Sequence, residues 1–473
     1  MRILLINPPL YGGPQFPVPG AVREKSADLP LGLLYLSAAL KRCGFSDIEV
    51  IDFQAQGKTP DEAVKIIASA KPDLLGITVY SFGCYDVHRI VTRVRQALPH
   101  THVTVGGPHA GLYPREILDA GWADSVCLGF GEQPIVELAA ALQNGTTLEG
   151  IAGLAFRNGN RIHLTPASCN IKDIDAIPFP DRSGLDPAKQ LSPMVDRPMP
   201  ATGIITSRGC PHGCVFCAQS HTPYAQRSVA NVLEEVRQCA EQGFEMINFE
   251  DDALNNRRSW IEAFCDGMMR MPTPIKWAFR GRVARFDEKL AKLCARAGCV
   301  RINFGVESGD DGMLTQIEKG ITREQAKIAV GAAKSAGIAT VTYYILGFPH
   351  ETAEQMQRTI DFSLELRSDF AQFSLLVLMP GSALYDREKQ LRGEGYDPFR
   401  DYTLQPTLDF RVPQPSDTLP RKQIIDAVRH AYRRYYFTPS FLFSGKGASG
   451  GVIRGMRTGA SLLSYVMFGP KGW

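Results

Sequence analysis

The 473-residue sequence predicts an α/β protein: a doubly wound parallel sheet, then a second series of βα units forming a partial or full parallel barrel, then a small, mainly helical carboxyl-terminal region. Three observations carry this. Residues 1 to about 145 alternate short β-branched runs with amphipathic helical patterns. A second alternating series starts at 201, after a loop-rich stretch dense in Pro and Asp. Composition is globular, 44% hydrophobic and 21% charged, and the length asks for two or three domains.

In the first series, strands are expected over 3–6, 48–52, 74–79, 103–105 and 125–128, with helices over 32–41, 87–98 and 132–142. A further helix is announced by Thr59-Pro60-Asp61-Glu62, a cap residue followed by proline at the first helical position and early acids. Alternation of this kind places ligands at the carboxyl ends of the strands. Residues 149–200 read as a small hairpin followed by a linker, marked by Ile177-Pro178-Phe179-Pro180-Asp181. The second series offers strands at 202–206, 246–250, 275–279, 300–305, 340–346 and 372–378, with helices after the caps Ser228 and Thr322. Six such units again put the chemistry at the strand ends. The domain boundaries follow: 1–148, a linker over 149–200, a barrel over 201–387 and a carboxyl-terminal region over 388–473.

A net charge of +3 on this length gives no reason to propose nucleic acid or an anionic membrane as partner. The start, MRILLINPPL, lacks a cleavage site, and no window holds about 18 uninterrupted apolar residues. A cytoplasmic chain without a membrane span is the expectation. Of the 11 cysteines only Cys210, Cys214 and Cys217 cluster; the scattered remainder read as small buried apolar residues.

That cluster lies in Ser207-Arg208-Gly209-Cys210-Pro211-His212-Gly213-Cys214-Val215-Phe216-Cys217, directly after a predicted strand. Three thiolates at C-x3-C-x2-C can hold one cubane and leave one iron open to a small chelating molecule. Structural zinc would close with a fourth ligand, and His212, crowded behind Pro211, suits that role poorly. The segment resembles the cluster loop of the radical S-adenosylmethionine (SAM) superfamily, over roughly 201–387. The resemblance implies a [4Fe-4S] cluster on Cys210, Cys214 and Cys217, and reductive cleavage of chelated SAM to a 5′-deoxyadenosyl radical. It also implies SAM contacts at Glu250 and Asp251 (in Phe249-Glu250-Asp251-Asp252), at Glu307 and Ser308 (in Gly305-Val306-Glu307-Ser308-Gly309), and at Gly347 and Pro349 (in Leu346-Gly347-Phe348-Pro349). Arg280 or Arg282, after the third strand, would pair with the SAM carboxylate. The plain reading of the acids is as solvated loop residues or helix caps, and of the glycines as tight turns.

No G-x-G-x-x-G follows the first strand, which disfavours a dinucleotide site. Instead Asn7-Pro8-Pro9, Leu29-Pro30-Leu31-Gly32, Gly106-Gly107-Pro108-His109 and Gly129-Phe130-Gly131-Glu132 resemble the cobalamin-binding domain that precedes many radical SAM barrels. The implied fold is a Rossmann-like cobalamin domain ahead of a (β/α)6 partial TIM-type barrel. The implied cobalamin contacts are Leu31, Gly32, Thr78, Ser81, Gly106, Gly107, Gly129, Gly131 and Glu132, with ordinary turn chemistry as the alternative for the glycines. Asp86-Val87-His88 lacks the glycine of the D-x-H-x-x-G cobalt-ligand motif, so His88 reads as a helix-surface residue and His109 as a loop histidine.

Together the two resemblances imply a methyltransferase acting on a carbon of a small-molecule substrate, served by an external one-electron reductant of flavodoxin or ferredoxin type. The alternative is a cyclase, oxidase or ring-rearranging enzyme of the bacteriochlorophyll cyclase kind. A cobalamin-binding module with a vestigial barrel is a third reading. The aromatic residues Tyr432, Tyr435, Tyr436, Phe437, Phe441 and Phe443 read as core packed on the barrel, or as a cap receiving a flat or lipid-like substrate. Residues 452–468, broken by Arg454 and Arg457, would at most lie on a membrane.

Overall fold

Ile3, Leu4, Leu5 and Ile6 are all fully buried, as a strand covered on both faces of a parallel sheet must be. The computed structural model describes residues 1–9, 29–166, 173–192, 199–393, 395 and 416–437. Cys169, Phe441, Phe443, the Thr438-Pro439-Ser440 turn and the 452–468 segment lie outside the described residues. The described chain divides into two compact units, the first built on residues 1–9 and 30–185, the second on 186–393 and 416–437.

The first unit holds β1 (Ile3–Asn7), α1 (Leu31–Arg42), β2 (Ile48–Asp52), α2 (Pro60–Ala70), β3 (Leu74–Thr78), α3 (Cys84–Ala97), β4 (His102–Gly106), α4 (Pro108–Leu112), α5 (Pro114–Asp119), β5 (Ser125–Cys127) and α6 (Glu132–Asn144). A hairpin, β6 (Leu154–Asn158) and β7 (Arg161–Leu164), completes it. The sheet order is β2-β1-β3-β4-β5-β6-β7, parallel through β5 and antiparallel beyond. Alternation along β1 sorts the core into two layers. Leu4 and Ile6 join Ile67, Val87 and Val91 on one face, and Ile3 and Leu5 join Leu33, Leu40, Ile135 and Leu138 on the other. Thr59 and Glu62 form the predicted reciprocal cap at the start of α2.

The segment after the hairpin is strapped across α1. Asp181 accepts from Ser37 Oγ at 2.6 Å and pairs with Lys41 at 2.7 Å, and Arg42 donates to the Ala176 carbonyl at 2.7 Å. Burial alone would raise Asp181, but its bonds to Lys41, Ser183 and Ser37 outweigh that and hold it at about 2.

The second unit starts with a short edge strand β8 (Leu191–Ser192), antiparallel to β9 (Met199–Ile204). A small ribbon follows, β10 (Ser207–Arg208) with β11 (Ala225–Gln226), then α7 (Val229–Glu241), β12 (Met246–Phe249), α8 (Arg258–Met269), β13 (Lys276–Gly281), α9 (Glu288–Arg296) and β14 (Cys299–Glu307). The series ends with α10 (Asp311–Gln316), α11 (Arg323–Ser335), β15 (Ala339–Leu346), α12 (Ala353–Leu366), β16 (Phe370–Leu375), α13 (Ala383–Arg392) and α14 (Arg421–Tyr436). The order β16-β15-β14-β13-β12-β9-β8 is an open half-barrel whose six long strands run parallel. Phe249, Phe264, Trp277, Phe279, Phe286 and Phe304 pack edge to face, tilted or, for Trp277 on Phe279, stacked between sheet and helices. On the opposite face Met199, Ala201, Met246 and Ala278 form a small apolar floor.

A half-barrel leaves the outer edge of its last strand exposed. Here α14 covers that edge with tyrosines. Tyr436 Oη accepts from Ala371 N at 3.0 Å and donates to its carbonyl at 2.6 Å, Tyr432 Oη accepts from Phe373 N at 3.2 Å, and Tyr435 packs beside Ser368. Of the two readings of the aromatic segment, core packing is the one these three tyrosines follow. Among the described residues no helix is long and apolar enough to cross a membrane.

Candidate active site

The chain leaves β9 and is at once tied down. Asp251, beyond the end of β12, accepts from Thr206 N, Thr206 Oγ1 at 2.8 Å and Ser207 Oγ. Asp251 is buried, and burial raises its carboxyl while these bonds oppose the rise. In this arrangement the Asp251 oxygens hold the entry to the cysteine loop.

The ribbon β10–β11 closes a loop over 209–224 that carries all three clustered cysteines. Gly209 has φ +77°, and a Cβ there would stand 2.0 Å from the Pro223 carbonyl oxygen, so only glycine fits. Inside the loop Cys210 N donates to Thr222 Oγ1 at 2.8 Å, Cys217 N to the Cys214 carbonyl at 3.1 Å, and Gln219 N to Cys217 Sγ at 3.4 Å. Val215 N reaches the Ile317 carbonyl, which anchors the loop to the turn after α10. Burial pushes the Cys210 and Cys217 thiols up, backbone N–H groups pull them back, and the charges of Asp252 and the companion cysteines push again. The three sulfurs thus lie within electrostatic reach of one another. His212 is turned onto Asn256 Oδ1 at 2.9 Å.

Among the described residues no group of three His, Cys, Asp or Glu side chains is gathered around a single ion. Three thiols on one loop are the donor chemistry of a cluster whose irons each take one sulfur.

Glu250 and Arg280 face each other at the mouth, 2.8 Å apart and partly exposed. Arg280 falls within β13 rather than after it, because β13 extends two residues further to keep pairing with the longer β14. Arg282 turns the other way: its guanidinium lies 3.9 Å from Cys214 Sγ and donates to the Lys319 carbonyl. Glu307 closes β14 with φ +68°, a left-handed conformation in a non-glycine residue. Its Oε1 pairs with Lys319 Nζ at 2.6 Å, both side chains about nine-tenths buried. A Cβ on Gly305 would meet Glu307 Oε1 at 2.4 Å and Lys319 Nζ at 2.8 Å, which is why glycine precedes the pair. Lys319 also stands 5.9 Å over the Phe216 ring of the cysteine loop.

Ser308 is fully buried, with its hydroxyl 3.1 Å from Thr359 Oγ1 and accepting from Asp310 N. These bonds tether the turn after β14 to α12. Gly347, φ +90°, opens the turn after β15; its N–H and that of Phe348 donate to Glu351 Oε2 at 2.6 and 3.1 Å. Glu351 is wholly buried, its Oε1 has no hydrogen-bond partner among the described residues, and burial raises its carboxyl to about 7. Phe348 sets its ring edge to face with Phe216, centroids 5.7 Å apart, and Pro349 accepts from Gln316. Lys319 and Glu351 escaped sequence reasoning. Nothing local marks the lysine, whereas an acid just past a Gly-Phe-Pro turn was a usable signal for the glutamate.

In the first unit the strand ends present small residues. Gly107, φ +96°, lies so close to Thr78 Oγ1 and the Val79 carbonyl that a Cβ would stand 3.0 Å from each. Val79 N donates to the Gly106 carbonyl and His109 N to that of Val79, tying the β3 and β4 loops together. Ser81 and His109 are buried and 3.1 Å apart at Oγ and Nδ1. Gly129 has φ +76°, Gly131 faces Leu36, and Glu132 begins α6. Leu31 is buried at the start of α1 and Gly32 is open. Tyr80 and Leu112, after β3 and β4, are large apolar residues left 45% and 44% exposed. Small residues beside exposed apolar ones suit a flat macrocycle with a polar fringe. His88 stacks on Trp122 at 4.8 Å on the flank of α3.

The family model described as the radical SAM superfamily matches residues 204–363, and that of the B12 binding domain residues 28–139. An uncharacterised methyltransferase of Pyrococcus horikoshii is 32% identical over 456 residues, 93% of this chain and 94% of its own. An anaerobic magnesium-protoporphyrin IX monomethyl ester cyclase of Rubrivivax gelatinosus is 28% identical over 93% of this chain and 78% of its own. Among solved structures, the cobalamin-dependent SAM radical enzyme OxsB, with aqua-cobalamin and SAM bound, matches with a TM-score of 0.70 at 18% identity, over 98% of this chain and 70% of that one. The radical SAM methyltransferase TsrM of Kitasatospora setae matches at 0.66 and 21% identity, over 82% of this chain and 76% of that one.

Proposed function

Because this chain belongs to the cobalamin-binding radical SAM enzymes, we propose that it is a methyltransferase acting on a carbon atom of a small molecule. The convergence of Cys210, Cys214 and Cys217 on one ribbon-closed loop at the half-barrel mouth carries the reading. When bound, the cluster, SAM and cobalamin supply a 5′-deoxyadenosyl radical and a transferable methyl group.

The chain's own residues bind and orient. Cys210, Cys214 and Cys217 hold the cluster, and Gln219 N–H and Arg282 temper charge on two of the sulfurs. Glu250 and Arg280 stand opposite as an anion and a cation, the complement of the ammonium and carboxylate of an amino acid, and receive the methionine end of SAM. Glu307, locked by Lys319, and the Gly347–Pro349 turn, locked by Glu351, form the adenosine side. Asp251 and Ser308 act through the backbone they hold. In the first unit Leu31, Gly32, Thr78, Ser81, Gly106, Gly107, Gly129, Gly131 and Glu132 line the cobalamin site. An external one-electron reductant of flavodoxin or ferredoxin type serves the cluster.

Anaerobic reconstitution with iron, sulfide and cobalamin, followed by reduction with SAM present, tests this. Both 5′-deoxyadenosine and S-adenosylhomocysteine are expected, and loss of deoxyadenosine in Cys214→Ala. Deoxyadenosine without S-adenosylhomocysteine would replace the reading with the non-methylating one suggested by the cyclase relative.

A further inference from the structure

Lys319 and Arg280 each face a carboxylate, Glu307 at 2.6 Å and Glu250 at 2.8 Å. Arg282 faces sulfur instead. Its Nη1 lies 3.9 Å from Cys214 Sγ, and its Nη2 donates to the Lys319 carbonyl. Among the described residues no carboxylate stands within ion-pair distance of it. Cys214 is buried, so solvent screens little of the attraction between this cation and a thiolate at that position.

The arginine is held in place through its own backbone. Its N–H donates to Asn255 Oδ1 at 2.8 Å and its carbonyl accepts from Asn255 Nδ2 at 2.7 Å, so one buried amide takes both polar groups. Asn255 follows β12 and Arg282 follows β13, and the grip therefore fixes the exit of β13 toward the cysteine loop. Gly281 leaves room for it: a Cβ there would stand 2.8 Å from the Phe279 ring and 3.2 Å from Asn255 Oδ1. The charge reaches beyond Cys214. Burial raises the Cys210 thiol and lowers the His212 imidazole, and Arg282 opposes the first shift and adds to the second.

One-electron reduction of an iron–sulfur cluster adds a negative charge shared with its sulfur ligands. A fixed cation within hydrogen-bonding reach of a ligating sulfur stabilises the reduced state more than the oxidised one. We infer that Arg282 serves the cluster rather than SAM: its guanidinium, held on Cys214 Sγ, offsets the charge gained on reduction and raises the reduction potential. This rests on the reading of Cys210, Cys214 and Cys217 as the cluster ligands. It adds to that reading a residue that sets how easily the external reductant delivers its electron, and it leaves Arg280 as the partner of the methionine carboxylate.

The test is a redox titration of the full chain loaded anaerobically with iron, sulfide and cobalamin, with SAM absent. Dithionite and mediators set the potential, and the low-temperature EPR signal of the reduced cluster is followed. Arg282→Gln should lower the ratio of reduced to oxidised cluster at a given potential roughly tenfold, a fall of about 60 mV in the midpoint. Arg282→Lys, which keeps the charge but not the planar fork, should recover part of it. Asn255→Ala keeps the arginine and frees its backbone. It should lower the ratio severalfold, and it carries the test should Arg282→Gln lose its cluster. Equilibrium dialysis of SAM against the oxidised, loaded chain is the second readout, and affinity in Arg282→Gln should stay within about threefold of the parent's. An unmoved midpoint in Arg282→Gln, or in Asn255→Ala where the first variant holds no cluster, overturns the proposal. So does a loss of SAM affinity of about tenfold, which would give Arg282 to the methionine carboxylate. Neither readout depends on turnover, so failure to form S-adenosylhomocysteine would refute the methyltransferase reading and leave this result standing.

Discussion

Replacing Lys319 by methionine should destabilise the barrel far more than removing a surface lysine. Lys319 Nζ and Glu307 Oε1 are 2.6 Å apart, with side chains 9% and 10% exposed. At an effective dielectric near 20 their attraction is about 6 kcal/mol, of the same order as the desolvation both ions suffer. The intact pair therefore contributes little net stability, but either partner alone leaves a buried charge without its counter-ion, at about 3–5 kcal/mol. The carboxylate cannot swing away freely, because it lies over Gly305 and its own backbone is held at φ +68°. Lys319→Met and Glu307→Gln should each cost about 3–5 kcal/mol, whereas the double variant, which leaves no unpaired buried charge, should cost less than either single one. Anaerobic urea unfolding of the full chain, followed through tryptophan fluorescence, measures this, since Trp260 and Trp277 both lie in the barrel. A cost below about 1 kcal/mol for Lys319→Met, with additive effects in the double variant, would refute the argument.

Three further outcomes follow from the same geometry. Gly209→Ala places a Cβ 2.0 Å from a backbone oxygen at φ +77°; the ribbon should open, and iron and sulfide content after reconstitution should fall to a small fraction of the parent's. Tyr436→Phe removes one donor and one acceptor from Ala371 while keeping the ring, and should cost about 1–3 kcal/mol, read as a lowered melting temperature. Glu351 has its folded carboxyl raised to about 7 from an ordinary 4.5. Its contribution to stability is then fully present below about 4.5 and lost as pH rises through about 7, a swing of about 3 kcal/mol. Glu351→Gln keeps an acceptor for Gly347 and Phe348 and cannot ionise. It should be more stable than the parent at pH 8 by up to that amount and no more stable below pH 4.5, and equal stability at both would count against the burial argument.

The architecture was legible because hydrophobic periodicity and helix caps are local. The Thr59 and Thr322 caps start helices where the sequence placed them, and the six barrel strands lie within two or three residues of their expected positions. What was not legible depended on pairing partners distant in sequence. The hairpin β6–β7 reads locally as an isolated turn motif, yet it extends the first sheet because β5 leaves an edge that β6 can fill antiparallel. Tyr432, Tyr435 and Tyr436 look like any aromatic helix until β16 is known to need its outer N–H and C=O groups satisfied.

The site divides along the same line. Spacing located the cysteine loop outright, since three thiols within eight residues converge whatever the rest of the chain does. The acids beyond the strand ends could not be sorted by type, because Glu250 and Asp251 are adjacent and equally acidic. Strand parity sorts them. Glu250 continues the concave face of β12 beside Asn248, and so meets Arg280 across the mouth. Asp251, one residue on, turns to the other side, where Thr206 and Ser207 take its oxygens. The same rule explains why Arg301 drew no attention: an arginine in the middle of a strand reads as an exception to a buried pattern. Only the register, which sets Ala278 between it and Asn248, shows how the exception reaches across the alanine to bond Asn248.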